Sequence, residues 1–255
     1  MRSEILYGIY PVIEAISANR RDIYEVYIEK GKTSQRVKKV LALAESKKIP
    51  IVTVKPSTLK SITGTEIHQG IGAKTSGYAY ARLSDINDKI QKDHSNGLIL
   101  LLDNILDPQN LGALIRTALC VQVDGIIIPK DRSALPTPAV SKASAGALEH
   151  VALVCVVNMA RTMNTLKEMG WWIVGMDKAS GQSIFFSDLT GSVAIVVGGE
   201  EKGMRPLVKS HCDFLMSIPQ TGPVSSLNAA VAGAIAMYEV FRQRLFLKEK
   251  MQRGR

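Results

Sequence analysis

Residues 98–120 read LILLLDNILDPQNLGALIRTALC. An unbroken apolar run ends at Asp103. A brief gap follows, and Asp107-Pro108 then opens a segment with helical apolar spacing. Asp is a good N-cap and Pro suits the first helical position, so the pattern is a buried strand feeding a capped helix. The same unit recurs downstream. GIIIP (125–129), VALVCVV (151–157), WWIVGM (171–176), VAIVVGG (193–199) and DFLMSI (213–218) are short apolar runs, most of them separated by helical patterns. Such alternation predicts an α/β fold with a parallel sheet covered on both faces. Ligands of these sheets sit outside the carboxyl ends of the strands, so chemistry is expected in the loops that leave those ends.

Upstream of residue 98 the pattern differs. YGIYPVIEAISA (7–18) predicts a short amphipathic helix and IYEVYIEK (23–30) a strand. A basic helix is expected over 33–48, a strand over 49–54, a helical turn ending at Gly64 and a glycine-interrupted strand over 70–81. This makes a small α/β module with 13 Lys and Arg against 7 Asp and Glu in its first 80 residues. The polar stretch DINDKIQKDHSNG (85–97) reads as linker. The expected organisation is therefore a module over 1–80, a linker over 81–97, a larger domain over 98–247 and a basic tail over 248–255.

The whole chain has 255 residues and a formal charge of +9, which favours polyanionic partners, chiefly nucleic acid. Cys120, Cys155 and Cys212 are too few and too scattered for a disulfide framework or a zinc site, and buried free thiols are expected. His68, His94, His150 and His211 are equally scattered, so no metal is expected. No apolar run approaches the ~18 residues of a membrane span, and the opening residues lack a signal-peptide core. A cytoplasmic protein is expected.

Three loops after the apolar runs stand out. In the first, Asn110 lies near the helix mouth, about 9 Å along the axis and about 120° around it from Arg116. Arg116 falls among Leu114, Ile115, Ala118 and Leu119, where a guanidinium is usually paired or binds an anion. The second is VVGGEEKGMRP (196–206). Its Gly198 and Gly199 permit close backbone approach, and the order G-G-E-E-K-G is not a dinucleotide fingerprint. In the third, IPQTGPVSSLNAAVAGAIAM (218–237), Thr221, Gly222 and Pro223 make a turn. Ser225 or Ser226 can cap the helix after it, with Asn228 in the first turn. The alanines that follow offer so little volume that another element must approach closely.

DPQNLGALIRTA, VVGGEEKGMRP and SIPQTGPVSSLNAAVA, in this order, resemble the three signature motifs of the SpoU-type (TrmH family) RNA ribose 2′-O-methyltransferases of the SPOUT superfamily. YGIYPVIEAI resembles the start of the small RNA-binding domain of the subgroup that methylates a guanosine in large-subunit ribosomal RNA. The resemblance implies a deep C-terminal trefoil knot, which topology rules alone would exclude. It also implies S-adenosylmethionine as cofactor, ribosomal RNA as partner, and a homodimer with the last helix in its interface. By motif position the cofactor contacts fall on Gly198, Gly199, Ile218, Gln220 and Leu227, and the catalytic polar residues on Asn110, Arg116, Glu200, Ser226 and Asn228. Because a guanidinium stays protonated, Arg116 is expected to stabilise a developing alkoxide, Asn110 and Asn228 to orient the ribose, and Glu200 to hold Arg116 or the cofactor loop. Gln220 stands where the family often has Met, and Ala230 where it often has Ser, which removes any mechanism needing a hydroxyl there.

In the small module, Arg20, Arg21, Arg36, Lys38 and Lys39 are the expected phosphate contacts. Tyr7 and Tyr10 are available either to stack on bases or to pack in the core. Transfer-RNA methylation and antibiotic-resistance methylation of ribosomal RNA use closely similar motifs, and the extra N-terminal module favours ribosomal RNA; a non-catalytic RNA-binding assembly factor that keeps the knot is disfavoured by intact Asn110, Arg116, Glu200 and Asn228. A generic nucleotide-binding enzyme is disfavoured by the missing phosphate loop.

Overall fold

A computed structural model describes residues 3–32, 34–93, 96–223 and 226–253. Ser225 and His94 lie outside the described residues. The chain divides into two compact units, Met1–Ala79 with Leu135–His150, and Tyr80–Ala134 with Val151–Arg255.

The first unit runs β1 (Ser3–Tyr7), α1 (Ile9–Ala18), β2 (Ile23–Glu29), α2 (Gln35–Ser46), β3 (Ile51–Val54), α3 (Pro56–Thr63) and β4 (Ile71–Ser76). Its mixed sheet has the order β1-β4-β2-β3. β4 is antiparallel to both neighbours and β2 is parallel to β3. Helix α3 ends as expected at Gly64, whose φ of 68° places it in the left-handed region. The expected helix over 7–18 is α1, which begins at Ile9; the strand β1 ahead of it, ending at Tyr7, was not expected. Gly8, at φ 97°, separates β1 from α1, and of β1 only Leu6 is fully buried, so the strand leaves little periodic signal. Leu6, Val12, Ile16, Val26, Val40 and Ile71 share the core of this unit.

The second unit begins with α4 (Leu83–Asp93), where a linker was expected. Ile86 and Ile90, one helical turn apart, are buried in the same core as Leu101, Ile127 and Ile173. Then follow β5 (Leu98–Asp103), α5 (Pro108–Cys120) and β6 (Gly125–Pro129). The chain next contributes Leu135–His150, including α6 (Pro138–Ala143), to the first unit. This corrects the expectation that the larger domain is continuous from residue 98. It resumes with β7 (Leu153–Val156), α7 (Met159–Glu168), β8 (Trp172–Met176), β9 (Val193–Gly198), α8 (Pro206–Ser210), β10 (Phe214–Met216) and α9 (Ala229–Arg253). Helix α9 takes in most of the expected tail.

These strands form one parallel sheet in the order β10-β8-β9-β5-β6-β7. Every residue of β5 is buried, which is why its sequence is an unbroken apolar run. From β5 the chain moves to one side through β6 and β7, and from β9 to the other side to β10. The carboxyl ends of β5 and β9 therefore form a switch point. On one face α4, α7 and α8 bury Ile86, Met163 and Val208. On the other, α9 packs on α5 and β9. There Gly233 is needed: a Cβ would lie 2.4 Å from Leu114 Cδ2. The small residues of α9 thus serve close packing within the chain.

The thiols differ from expectation. Cys120 is exposed, and Cys155 and Cys212 are only partly covered. Burial pushes the thiol of Cys212 up to about 12, so it stays protonated. Among the described residues no helix is long and apolar enough to cross a membrane.

Candidate active site

The glycines after β9 shape the site. A Cβ on Gly198 would stand 2.3 Å from the backbone carbon of Gly203, and one on Gly199 would stand 2.3 Å from the carbonyl oxygen of Asn104. Backbone crosses backbone here, so no side chain fits. Gly203 N–H donates to the Gly199 carbonyl at 2.9 Å and closes the loop on itself. Asn104, at φ 64°, turns the chain away from the end of β5; Asn is among the residues that tolerate this conformation.

A cleft of about 310 Å³ opens beside this loop, of ordinary size for a small ligand. Gly198, Gly199, Ile218, Gln220 and Leu227, the five expected cofactor residues, all line it, as do Glu200 and Ser226. Met176, Asp177 and Lys178 from the end of β8 line it too, with Met204, Lys209 and Met216. Sequence reasoning missed this second group. The available signal was the position of Asp177 and Lys178 directly after an apolar run, at the carboxyl end of a parallel strand. Asp177 pairs with Lys209, whose ammonium holds the Asp177 carboxyl below its usual range, helped by the backbone N–H of Ala179.

At the rim three motif residues meet. Asn110 Nδ2 donates to Glu200 Oε1 at 3.0 Å, and Asn228 Nδ2 donates to Asn110 Oδ1 at 3.0 Å and to Glu200 Oε1. The other face of the Asn228 amide caps α9, with Oδ1 accepting from Ala230 N at 2.9 Å and Val231 N at 3.2 Å. Asn228, rather than Ser226, is therefore the observed cap. The amide is held from both sides, and its orientation is set by the helix it caps.

Arg116 is placed differently from its expected surroundings. Leu114, Ile115 and Ala118 are buried, but Arg116 is exposed on α5 and, among the described residues, makes no hydrogen bond or ion pair. Glu200 is held by Asn110 and Asn228, not by Arg116. The reason is helical geometry: at ~100° per residue, 116 falls on the open side of a helix that buries 114, 115 and 118. Its charge is left uncommitted by the fold.

Of the expected phosphate contacts, Arg36, Lys38 and Lys39 are exposed on α2, and the Arg36 guanidinium lies 5.7 Å from the centre of the Tyr10 ring. Tyr7 is half-buried. Arg20 donates to the carbonyls of Glu149, at 3.0 Å, and Ala79, at 3.3 Å. Arg21 is a correction. It is 4% exposed and bonded to Glu149 at 2.9 Å and Glu4 at 2.6 Å, over the ring of Tyr78, so no phosphate can reach it. Among the described residues no group of three or more His, Cys, Asp or Glu is placed to hold a metal.

The sequence model of the SpoU rRNA Methylase family matches residues 97–238. The chain belongs to this family. A model for RNA 2′-O ribose methyltransferase substrate binding matches residues 5–81. The chain is 40% identical over 244 residues to the 23S rRNA (guanosine-2′-O-)-methyltransferase RlmB of Haemophilus ducreyi, covering 95% of this chain and 99% of that one. It is 36% identical over 242 residues to the RlmB of Pseudomonas putida, covering 94% and 97%. In fold it is similar to the SpoU methyltransferase AviRb of Streptomyces viridochromogenes, solved with AdoMet, at TM-score 0.80 and 22% identity over 95% of this chain and 91% of that one.

Proposed function

We propose that this SpoU methylase transfers the methyl group of S-adenosylmethionine to the ribose 2′-hydroxyl of a guanosine in large-subunit ribosomal RNA. The observation that carries the reading is the meeting of Asn110, Glu200 and Asn228, from three separate motifs, on the rim of a glycine-shaped cleft. The relatives bearing this activity by name match nearly end to end. The cleft suits the cofactor: its walls include backbone that a Cβ would block, and thioether and aliphatic side chains. Ile218, Gln220 and Leu227 would hold it against Gly198 and Gly199. When bound it supplies an activated methyl group on a sulfonium.

The residues of this chain hold the acceptor. Asn110 keeps one Nδ2 proton and one Oδ1 lone pair for the ribose, and Asn228, whose amide is spent on Asn110, Glu200 and the start of α9, orients the ribose by holding Asn110 in place. Arg116 has no partner to lose and places its guanidinium against the 2′-oxygen as charge develops, and against the neighbouring phosphate. Ser226 faces the same cleft. Arg36, Lys38, Lys39 and the Tyr10 ring on the first unit engage the RNA, with Arg20 contributing positive field.

Two finer features belong to the same reading. The C-terminal segment forms a trefoil knot. Supporting it, the loop over 199–204 lines one cleft with Ile218, Gln220, Ser226 and Leu227, although other elements separate them in sequence. The protein is a homodimer through α9, whose Val231, Tyr238 and Phe246 are exposed apolar groups. It acts in the cytoplasm, where its substrate is made.

The test is incubation with labelled S-adenosylmethionine and unmodified large-subunit RNA, followed by mapping of the label. One 2′-O-methylated guanosine is expected. Transfer to transfer RNA alone would overturn the substrate, and cofactor binding without transfer to any RNA would favour the assembly factor.

A further inference from the structure

Asp103 ends β5 at the switch point and does two things at once. Its backbone pairs in parallel register with Gly198, where the cleft loop leaves the sheet. Its carboxylate, fully shielded from solvent at 0% exposure, grips Arg205, where the same loop ends. Oδ2 accepts from Arg205 N at 2.7 Å. Oδ1 accepts from Nε at 2.7 Å and from Nη2 at 2.6 Å. Both ends of the loop over 199–204 therefore hang from one residue. Between them the chain doubles back so tightly that Gly198 and Gly203 touch backbone to backbone. The loop carries Glu200, which holds Asn110 and Asn228, and Met204, whose methyl group packs against Gly175 on β8.

Neither Asp103 nor Arg205 lines the cleft, and neither has a part in the mechanism above. Burying a carboxylate against a partly exposed guanidinium is a poor way to gain stability, since apolar replacements of similar volume often do as well or better. A forked guanidinium on a carboxylate does fix orientation, because the planar donors accept one arrangement. Here it is reinforced by a backbone N–H on the same carboxylate. We infer that Asp103 and Arg205 are the positioning pair of the methyl-donor cleft, holding the loop over 199–204 in its receiving shape without touching the ligand. The inference rests on the reading of the cleft as the S-adenosylmethionine site.

The test uses the full chain and calorimetric titration with S-adenosylmethionine, alongside the midpoint of thermal unfolding. Wild-type protein that fails to bind overturns the reading of the cleft, and the pair with it. Given binding, Arg205→Ala is expected to lower the midpoint, because it strands a buried carboxylate without its counter-ion. Adding Asp103→Asn to it removes that charge while keeping an acceptor for the backbone N–H, so the midpoint returns. Cofactor affinity in this double variant is expected to stay at least tenfold below wild type, with KM for RNA unchanged. A double variant that recovers both midpoint and affinity shows a pair that is structural only and overturns the inference. Should the double variant not fold, Asp103→Asn alone serves: a severalfold weaker cofactor Kd supports the inference, and wild-type affinity overturns it.

Discussion

Glu149 and Glu200 are both carboxylates held by two side-chain donors, yet their surroundings are opposite. Glu149 is 1% exposed and accepts from Arg21 Nε at 2.9 Å and Ser141 Oγ at 3.1 Å. Glu200 faces the cleft and accepts from two neutral amides. A sealed carboxylate must be neutralised where it sits, and the fold spends a guanidinium on it. An open carboxylate needs only to be aimed, and amides aim it without cancelling its charge. The same division separates Arg21, consumed by the core, from Arg116, left free on the exposed side of α5. What the fold has already paired is unavailable to a ligand, so unpaired charge on a rigid element is the better guide to function.

The largest effect should come from breaking the sealed cluster. Arg21→Ala leaves Glu149 buried without its cation and is expected to destabilise the protein by about 3–5 kcal/mol, measured by denaturant unfolding. A loss below about 1 kcal/mol would erase the contrast with the rim.

Next comes Arg116→Lys. The substitution keeps the charge and loses the planar fork at an exposed site, so unfolding should be unchanged and cofactor binding retained. Turnover is expected to fall at least ~10²-fold, as for loss of one oxyanion donor. Near-normal turnover would remove Arg116 from the mechanism.

Glu200→Gln sharpens the comparison further. Glutamine keeps an oxygen for Asn110 and Asn228, so geometry survives and only the charge is lost. About a tenfold loss in kcat is expected, with stability within ~0.5 kcal/mol of wild type. The matching change at Glu149 should do the reverse, lowering stability and sparing kcat at a temperature where the variant is folded.

How much of this was readable beforehand follows from the range of the forces involved. The parallel sheet was legible because β5 and β9 bury both faces and so are apolar, save Asp103 at the end of β5. Helix α4 was not, because Ile86 and Ile90 are two apolar residues in a polar stretch, and burial depends on a sheet that forms later in the chain. The motif residues of the rim were legible as a set through their order, but their pairing was not. Glu200 was expected to hold Arg116 or the cofactor loop, and its choice of Asn110 and Asn228 depends on where the capped end of α9 arrives. Arg21 was misjudged for the same reason: its partner lies 128 residues away, in a segment that local reading assigned to the other domain.

The smallest expected effect tests the uncommitted charges of the first unit. Lys38 and Lys39 are exposed on α2, so removing both to alanine should leave folding and cofactor affinity unchanged. Each lysine that meets a phosphate releases counterions, and for single-stranded RNA two such contacts steepen the salt dependence of log Kd by about 1.4. The double variant should therefore bind ribosomal RNA only a few-fold more weakly at moderate salt, with a salt slope shallower by about that amount. Arg20→Ala, by contrast, removes a side chain already bonded to the carbonyls of Glu149 and Ala79, and should move stability more than slope. If instead Arg20→Ala changes the slope and the lysines do not, the rule that unpaired charge marks the binding face fails on this unit, and the RNA lies against a different side of it.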